Sequence, residues 1–266
     1  MTTLISQLQL TSLLTLLLIT GVSASEVSQP LQPVRTFSEK EQIQNLSYLT
    51  KTFGNSKSLP EGFELQALLA LSHFPELLDI QIRFILADVG IPLSSRPYWR
   101  SMLNSSKKRI YHIVIDGYQE LGINEKTEEE RKREKERKIQ ISSDRGRQAL
   151  LLKNQPFNAQ IGIIGHELAH TAYYLDRSFF GILKDALCQL GKCRIAFERN
   201  TDLRLIDHGL GWQRYDHALF VRSRLNNSVA NVNTAEGGDG AYMSPAEILK
   251  NIKDSDHYAD KISVIK

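Results

Sequence analysis

Residues 165–170 read Gly-His-Glu-Leu-Ala-His, and no other stretch of the chain limits its own local structure so narrowly. They lie within the segment 158–175, whose apolar residues recur at helical spacing and predict one long helix. Because residues four apart lie on one face of a helix, His166 and His170 can hold a single metal ion. Glu167 is displaced by one helical step, where its carboxylate can reach a water molecule at that ion.

The two sides of this predicted helix differ in character. At about 100° per residue, Ile161, Ile164 and Leu168 fall on one side. His166 and His170 fall on roughly the opposite side. Such a helix packs one face on a core while the other face lines a cleft, which suits a metal site between two layers.

Two glycines, Gly162 and Gly165, interrupt the same helix. Each weakens a helix by about 1 kcal/mol relative to alanine, so another backbone is expected to approach closely there. The sequence favours a neighbouring strand as that backbone.

Two imidazoles do not complete a catalytic zinc site, which normally has three protein ligands and one open position. Glu198, on the next predicted long helix at 194–208, is the favoured third ligand. Asp202 lies one turn further along the same face. Its carboxylate is expected to orient one of the ligand imidazoles from behind.

Four other polar residues are candidates for roles at the same site. Asp176 is disfavoured as a ligand, because the sharp turn it would need falls at Tyr173, and a bulky residue resists positive φ. Three side chains are candidates for stabilising the oxyanion of a tetrahedral intermediate, and the sequence does not choose among them. They are His208, Tyr215 and His217.

The elements predicted around this helix indicate an α+β fold. Ser38 and Glu41 form a capping-box pattern that begins a helix ending at Gly54. Helices are also predicted at 60–73, 212–225 and 245–253, and strands at 80–86, 109–115, 139–142 and 148–152, with a loop over 89–106. We expect a small, mostly antiparallel sheet packed on the metal-binding helix, followed by a mainly helical C-terminal half. Strand 148–152 is the candidate edge for pairing with an extended peptide.

The N-terminus predicts export. Residues 1–24 contain no charged side chain, and an apolar run over 13–20 is too short to span a bilayer comfortably. We interpret 1–24 as a signal peptide of a secreted or periplasmic protein, leaving one domain at 25–266. An uncleaved membrane anchor is the alternative. The net charge of +3, from 33 basic and 30 acidic residues, gives no reason to expect a nucleic-acid partner.

Three further segments carry predictions. Residues 125–138 hold six acidic and seven basic side chains, which favours a solvated helix or mobile insertion. Residues 226–240 are rich in Asn and Gly and predict a mobile loop. The amphipathic segment 178–193 is expected to pack on the core, with a lid as the alternative. Its Cys188 and Cys193 are expected to form a local disulfide, with free thiols as the alternative.

The pattern His166-Glu167-x-x-His170 with Glu198-x-x-x-Asp202 resembles the gluzincin group of zinc metallopeptidases, over roughly residues 147–211. The run Glu-Arg-Asn-Thr-Asp looks most like the heat-shock and prenyl-protein endopeptidase type. The resemblance implies a zincin-like domain in which His166, His170 and Glu198 bind Zn²⁺ and Glu167 is the catalytic residue. This chain departs from the membrane members by lacking transmembrane helices around the motif.

Three functions follow as hypotheses. The favoured one is a zinc-dependent endopeptidase that acts on a peptide or protein substrate, with Glu167 as general base. The second is a non-proteolytic zinc hydrolase, such as an amide deformylase, in which Cys188 or Cys193 is the third ligand. The third is an inactive or accidental motif in a domain with a structural or interaction role.

Overall fold

The computed structural model describes residues 31–87, 93–116, 150–189, 193–225 and 241–258. Four predicted features lie outside these residues and stay predictions. They are the signal peptide at 1–24, the charged segment 125–138, the strand 139–142 and the loop 226–240.

The N-terminal helical segment divides into two helices, α1 (Glu39–Ile43) and α2 (Leu46–Phe53), before Gly54 ends it. The capping box predicted at Ser38 is wrong, because the Ser38 side chain makes no cap hydrogen bond. The amide of Glu41 donates instead to the Ser38 carbonyl at 3.1 Å, so the donor that the hydroxyl would need is already used. Helix α3 (Glu64–Leu71) then confirms the helix predicted at 60–73.

Four strands form one mixed sheet in the order β1-β2-β4-β3. They are β1 (Lys57–Ser58), β2 (Gln81–Ala87), β3 (Leu93–Pro97) and β4 (Ile110–Asp116). Strand β2 pairs in parallel with β1 and β4, and only β3 pairs antiparallel, with β4. The expectation of a mostly antiparallel sheet is therefore wrong. The cause is β3, which returns the chain along the sheet edge so that β4 enters between β2 and β3.

Strand β3 also corrects the predicted edge. The sequence predicts a loop over 89–106, yet this segment contains β3, which is the edge strand beside the central helix. The described part of the predicted strand 148–152 does not form a strand. Residues Leu152–Asn154 instead form a 3-10 turn leading into that helix.

The central helix is α4 (Phe157–Leu175), which confirms the helix predicted at 158–175. It packs against α3, β3 and two later helices, and 15 of its 19 residues are buried. The predicted core face of Ile161, Ile164 and Leu168 is fully buried. The helix therefore runs through the middle of the molecule, and the face that carries His166 and His170 is enclosed as well.

Four more helices complete the described fold: α5 (Phe179–Gln189), α6 (Cys193–Asp207), α7 (Gly211–Leu225) and α8 (Pro245–Asp254). The predicted helices at 194–208, 212–225 and 245–253 are confirmed. The capping box of α8 forms in full, because Ser244 and Glu247 exchange both hydrogen bonds. None of the described helices combines the length and apolarity needed to cross a bilayer.

The close approach expected at Gly162 is made by a helix rather than by a strand. A Cβ placed on Gly162 would lie 2.1 Å from the carbonyl oxygen of Gln213, at the start of α7. Helix α5 gives a second correction. Its Ile182 is buried, but Phe180, Leu183 and Leu187 are exposed, so the segment does not simply pack on the core.

Candidate metal centre

Helix α4 places the two histidines on one face, as their spacing predicts. The Nε2 atoms of His166 and His170 lie 3.1 Å apart, and both side chains are buried. The imidazole rings are perpendicular, at 89°, so the two nitrogens face a common point.

Helix α6 brings the third predicted ligand to the same point. Oε2 of Glu198 lies 3.1 Å from Nε2 of His166 and 3.2 Å from Nε2 of His170. The three atoms form a nearly equilateral triangle. Among the described residues this is the only group of at least three His, Cys, Asp or Glu side chains close enough to hold a metal ion.

Asp202 lies one turn after Glu198 and contacts Nδ1 of His166, the ring nitrogen that does not face Glu198. Its Oδ1 accepts a hydrogen bond from Nδ1 of His166 at 2.8 Å. The same carboxylate accepts from Arg214 of α7 at 2.6 and 3.3 Å, and from the amide of Met243 at 3.1 Å. Because Nδ1 donates to Asp202, Nε2 is the ring nitrogen that faces the centre, and it can bind a metal ion once the proton that it shares with Glu198 is displaced.

His170 is held in the matching way by a residue that the sequence analysis did not single out. Nδ1 of His170 lies 3.1 Å from Oγ1 of Thr201, which donates its own proton to the Phe197 carbonyl at 3.0 Å. The hydroxyl therefore accepts from Nδ1, and Nε2 of this ring is also free for a ligand bond. The Phe197 ring stacks on the imidazole at 5.0 Å and fixes its plane.

The ionisable groups of the site strongly affect one another's pKa values. Burial lowers the pKa of His166, but hydrogen bonds to Asp202 and Glu198 outweigh it and raise that pKa to about 9. Burial raises the pKa of both carboxyl groups, yet the pKa of Glu198 and that of Asp202 end well below their usual range. The neighbouring imidazoles lower the pKa of Glu198, and Arg214 together with His166 lowers the pKa of Asp202. Without a metal ion, the site therefore holds a proton between the imidazoles and Glu198.

Glu167 is buried beside the two histidines. Burial raises its pKa, while the neighbouring His170 and His166 act in the opposite direction. A carboxyl group with a raised pKa is suited to accepting and returning a proton near neutral pH.

The three oxyanion candidates are placed differently. His208 stacks on Phe74 at 4.3 Å and binds Glu76 at 2.9 Å, beside a cavity of about 540 Å³ at the end of α4. Tyr215 packs against Trp212. No described contact links either residue to the metal ligands.

His217, unlike the other two candidates, lies at the edge of the candidate metal centre. It is buried on α7, and its Nδ1 lies 2.8 Å from Oε1 of Gln155. Burial, followed by the nearby charges of Arg214 and His166, holds the pKa of His217 well below its usual range. It is therefore neutral at the edge of the site.

Asp176, which the sequence disfavours as a ligand, and His112 both lie outside the group formed by His166, His170 and Glu198. Asp176 follows the last residue of α4 and is exposed. His112 lies on β4 and stacks on Tyr98 at 4.8 Å, which is a structural contact.

Three neighbours of the centre were missed by sequence reasoning. Thr201 has a local signal, since it lies one turn after Glu198 on the same helix. Arg214 and Tyr242 have none, because they come from α7 and from the residues just before α8. The Tyr242 ring lies 5.7 Å from the His166 ring, with the Arg214 guanidinium 5.6 Å from its centroid.

Comparisons with known proteins leave the family open. No protein-family model matches the chain, and no significant match was found among curated proteins or solved structures. The class defined by fold and site together is an α+β protein with a buried His-His-Glu group able to hold a metal ion.

Proposed function

We propose that this chain is a zinc-dependent endopeptidase of the gluzincin type. The observation that carries the proposal is the triangle formed by His166, His170 and Glu198, with sides of 3.1, 3.1 and 3.2 Å. Zinc bonds to nitrogen and oxygen of about 2.0–2.1 Å, at tetrahedral angles, place ligand atoms about 3.3–3.4 Å apart. The triangle has nearly this size, so little movement is needed to bind the ion.

The chemistry of the donors supports zinc as well. Two neutral imidazoles and one carboxylate, with partners behind both imidazoles, are a common set for a catalytic zinc site. When bound, zinc supplies a Lewis acid that polarises a carbonyl group and makes water more acidic. The thiolate alternative loses support, because Cys188 and Cys193 are bonded to each other.

Glu167 has the role of general base in this proposal. Its buried carboxylate accepts a proton from the attacking water and donates it to the leaving amine. Glu167 follows His166 on the same helix and is buried like both histidines, so the three residues keep a fixed spacing along one element. Neutral His217 and the Tyr242 hydroxyl are the nearby groups that could donate to the developing oxyanion.

Strand β3 is the candidate substrate-binding edge, in place of 148–152. No other described strand pairs with its outer side. Its Ser95 hydroxyl lies 2.8 Å from that of Thr171, the residue after His170, which fastens the edge to the metal-binding helix. An extended peptide paired with β3 would pass close to the metal ligands, as in a zincin-like fold.

Export is part of the proposal. A disulfide between Cys188 and Cys193 is stable in an oxidising compartment, which supports a secreted or periplasmic protein with a signal peptide at 1–24.

The test compares wild type with Glu167→Gln for zinc content and for cleavage of an unstructured protein such as casein. We expect one zinc per chain in both proteins, and cleavage only by wild type. Glu41→Gln, an exposed change on α1, is the matched control and should cleave normally.

Each other result has a distinct meaning. Full cleavage by Glu167→Gln refutes the mechanism, and absence of zinc from wild type refutes the metal centre. Stoichiometric zinc without cleavage by wild type favours the alternative of an inactive or non-proteolytic zinc-binding domain.

A further inference from the structure

The four most exposed large apolar side chains of the described residues lie on two segments outside the metal centre. They are Leu103 (83% exposed), Phe180 (77%), Trp99 (68%) and Leu187 (64%), and Leu183 (46%) lies on the same helix as Phe180 and Leu187. Two of these five residues lie between β3 and β4, and three lie on α5. Exposed apolar groups that are clustered in this way mark a binding surface more often than scattered ones do.

Helix α5 is apolar on its outer side. Ile182 points into the protein and is buried, whereas Phe180, Leu183 and Leu187 follow the spacing i, i+3, i+7 and are exposed. The only acidic residue of α5, Asp185, accepts a hydrogen bond from the Tyr173 hydroxyl at 2.9 Å. The outward stripe therefore carries no acidic group.

A buried arginine joins α5 to the other segment. Nε of Arg109 donates to the carbonyls of Met102 and Asn104, which flank Leu103, each at 3.1 Å. Nη1 of Arg109 donates to the carbonyl of Arg177 at 2.6 Å, three residues before Phe180. One guanidinium therefore connects the turn that carries Leu103 to the residues that directly precede α5.

The surroundings are basic. Residues 98–110 contain four basic side chains and no acidic one. Arg100, Lys107 and Lys108 are exposed, and none of them forms an ion pair within the described part of the chain. Lys184 adds a further exposed positive charge beside the apolar stripe of α5.

We propose that this surface, formed by Trp99, Leu103, Phe180, Leu183 and Leu187 with their basic neighbours, docks on an anionic lipid membrane. Apolar side chains with flanking Lys and Arg are the combination by which a folded protein binds an interface without crossing it. A second copy of the chain fits less well, since a symmetric contact would bring the same positive charges together. This inference is independent of the proposed peptidase activity and of the N-terminal segment.

The test is flotation of the full chain with vesicles of phosphatidylcholine, with or without phosphatidylserine. We expect at least tenfold tighter binding to vesicles that contain phosphatidylserine, weakening as salt is raised. Lys107→Glu combined with Lys108→Glu should bind those vesicles about thirtyfold more weakly. Leu103→Ser combined with Phe180→Ser should weaken binding at least tenfold. Binding should also shift the fluorescence of Trp99, because the other tryptophan, Trp212, is buried.

The matched control replaces Ile43 and Tyr48, which are 56% and 49% exposed, with serine. They lie on α1 and α2, which lead to β1 at the opposite edge of the sheet. This variant should bind like wild type. Three results would overturn the proposal: wild type that does not bind, variants that all bind equally through their common N-terminal segment, or a serine variant that loses self-association in sedimentation but keeps vesicle binding.

Discussion

Asp202 and His166 share a hydrogen bond of 2.8 Å that is completely enclosed by the protein. The carboxylate is held in turn by buried Arg214 and by a backbone amide, so it cannot turn away from the imidazole. This pair links the stability of the α6–α7 contact to the orientation of His166, which we propose as a metal ligand.

Asp202→Asn should affect both properties. Loss of the carboxylate behind a ligand imidazole should weaken zinc affinity by about 10–100-fold, measured by competition with a chromophoric chelator. Arg214 would be left buried without its counter-ion, which should lower the free energy of unfolding by about 3–5 kcal/mol. Asp207→Asn, an exposed change on the same helix, is the control. Zinc affinity within twofold of wild type would contradict this role of Asp202.

Zinc affinity should depend on pH with a defined sign. The pKa of His166 is raised to about 9 in the metal-free site, so zinc must displace a proton at neutral pH. We expect affinity to increase about tenfold per pH unit below pH 9 and then to level off, with about one proton released per zinc near pH 7. Titrations at several pH values would measure this, and constant affinity from pH 6.5 to 9 would contradict it.

The stability of the metal-free protein should also depend on pH through the protonation of His166. Because the pKa of His166 is higher in the folded state, the stabilisation is complete below the ordinary value of 6.5 and is lost as pH rises through about 9. Thermal unfolding in the presence of a chelator should therefore show a falling midpoint over this range. His166→Gln is the matched variant, and it should not show that fall.

The glycines of α4 should respond differently to alanine. In Gly162→Ala the new Cβ would meet the backbone of Gln213 at 2.1 Å, so α4 and α7 must separate. In Gly165→Ala the nearest atoms are the ends of Leu205 and Leu210, both at 2.9 Å, and these side chains can rotate. We expect Gly162→Ala to cost about 3 kcal/mol or more, and Gly165→Ala about 1 kcal/mol or less after its gain in helix propensity. Urea denaturation would measure both, and equal costs would contradict the helix contact.

The disulfide should stabilise the fold without controlling the metal site. Closing the short loop between Cys188 and Cys193 is expected to contribute about 2 kcal/mol to the free energy of unfolding. The start of α6 is exposed from Cys193 to Ala196, whereas Glu198 is held in the buried turn that follows. Cys188→Ser combined with Cys193→Ser should therefore unfold at lower denaturant and keep zinc affinity within about threefold. Loss of zinc in this variant would contradict that separation.

Local sequence patterns predicted the helices well, and they predicted that His166, His170 and Glu198 come together, because both outcomes depend on helical periodicity. The spacing of His166, His170 and Glu198 places each ligand on a helix face, and the structure brings the three together. The same reasoning failed at the sheet. Strand β3 is short, contains two serines and ends at Pro97, so its sequence resembles a loop.

Two capping boxes show where a local pattern is insufficient. Ser244 and Glu247 form theirs at the start of α8, whereas at Ser38 the backbone carbonyl takes the amide donor first. The two patterns cannot be told apart without coordinates, because the outcome depends on how the first turn is hydrogen-bonded.

The sequence by itself determined which helices form and which of their side chains could bind a metal ion, since those properties repeat every 3.6 residues along one segment. Only the tertiary structure decided which partners complete the site. Arg214 from α7, the Met243 amide and the edge strand β3 reach it from distant parts of the chain. Their positions depend on how helices and strands pack, and no spacing within one segment records that.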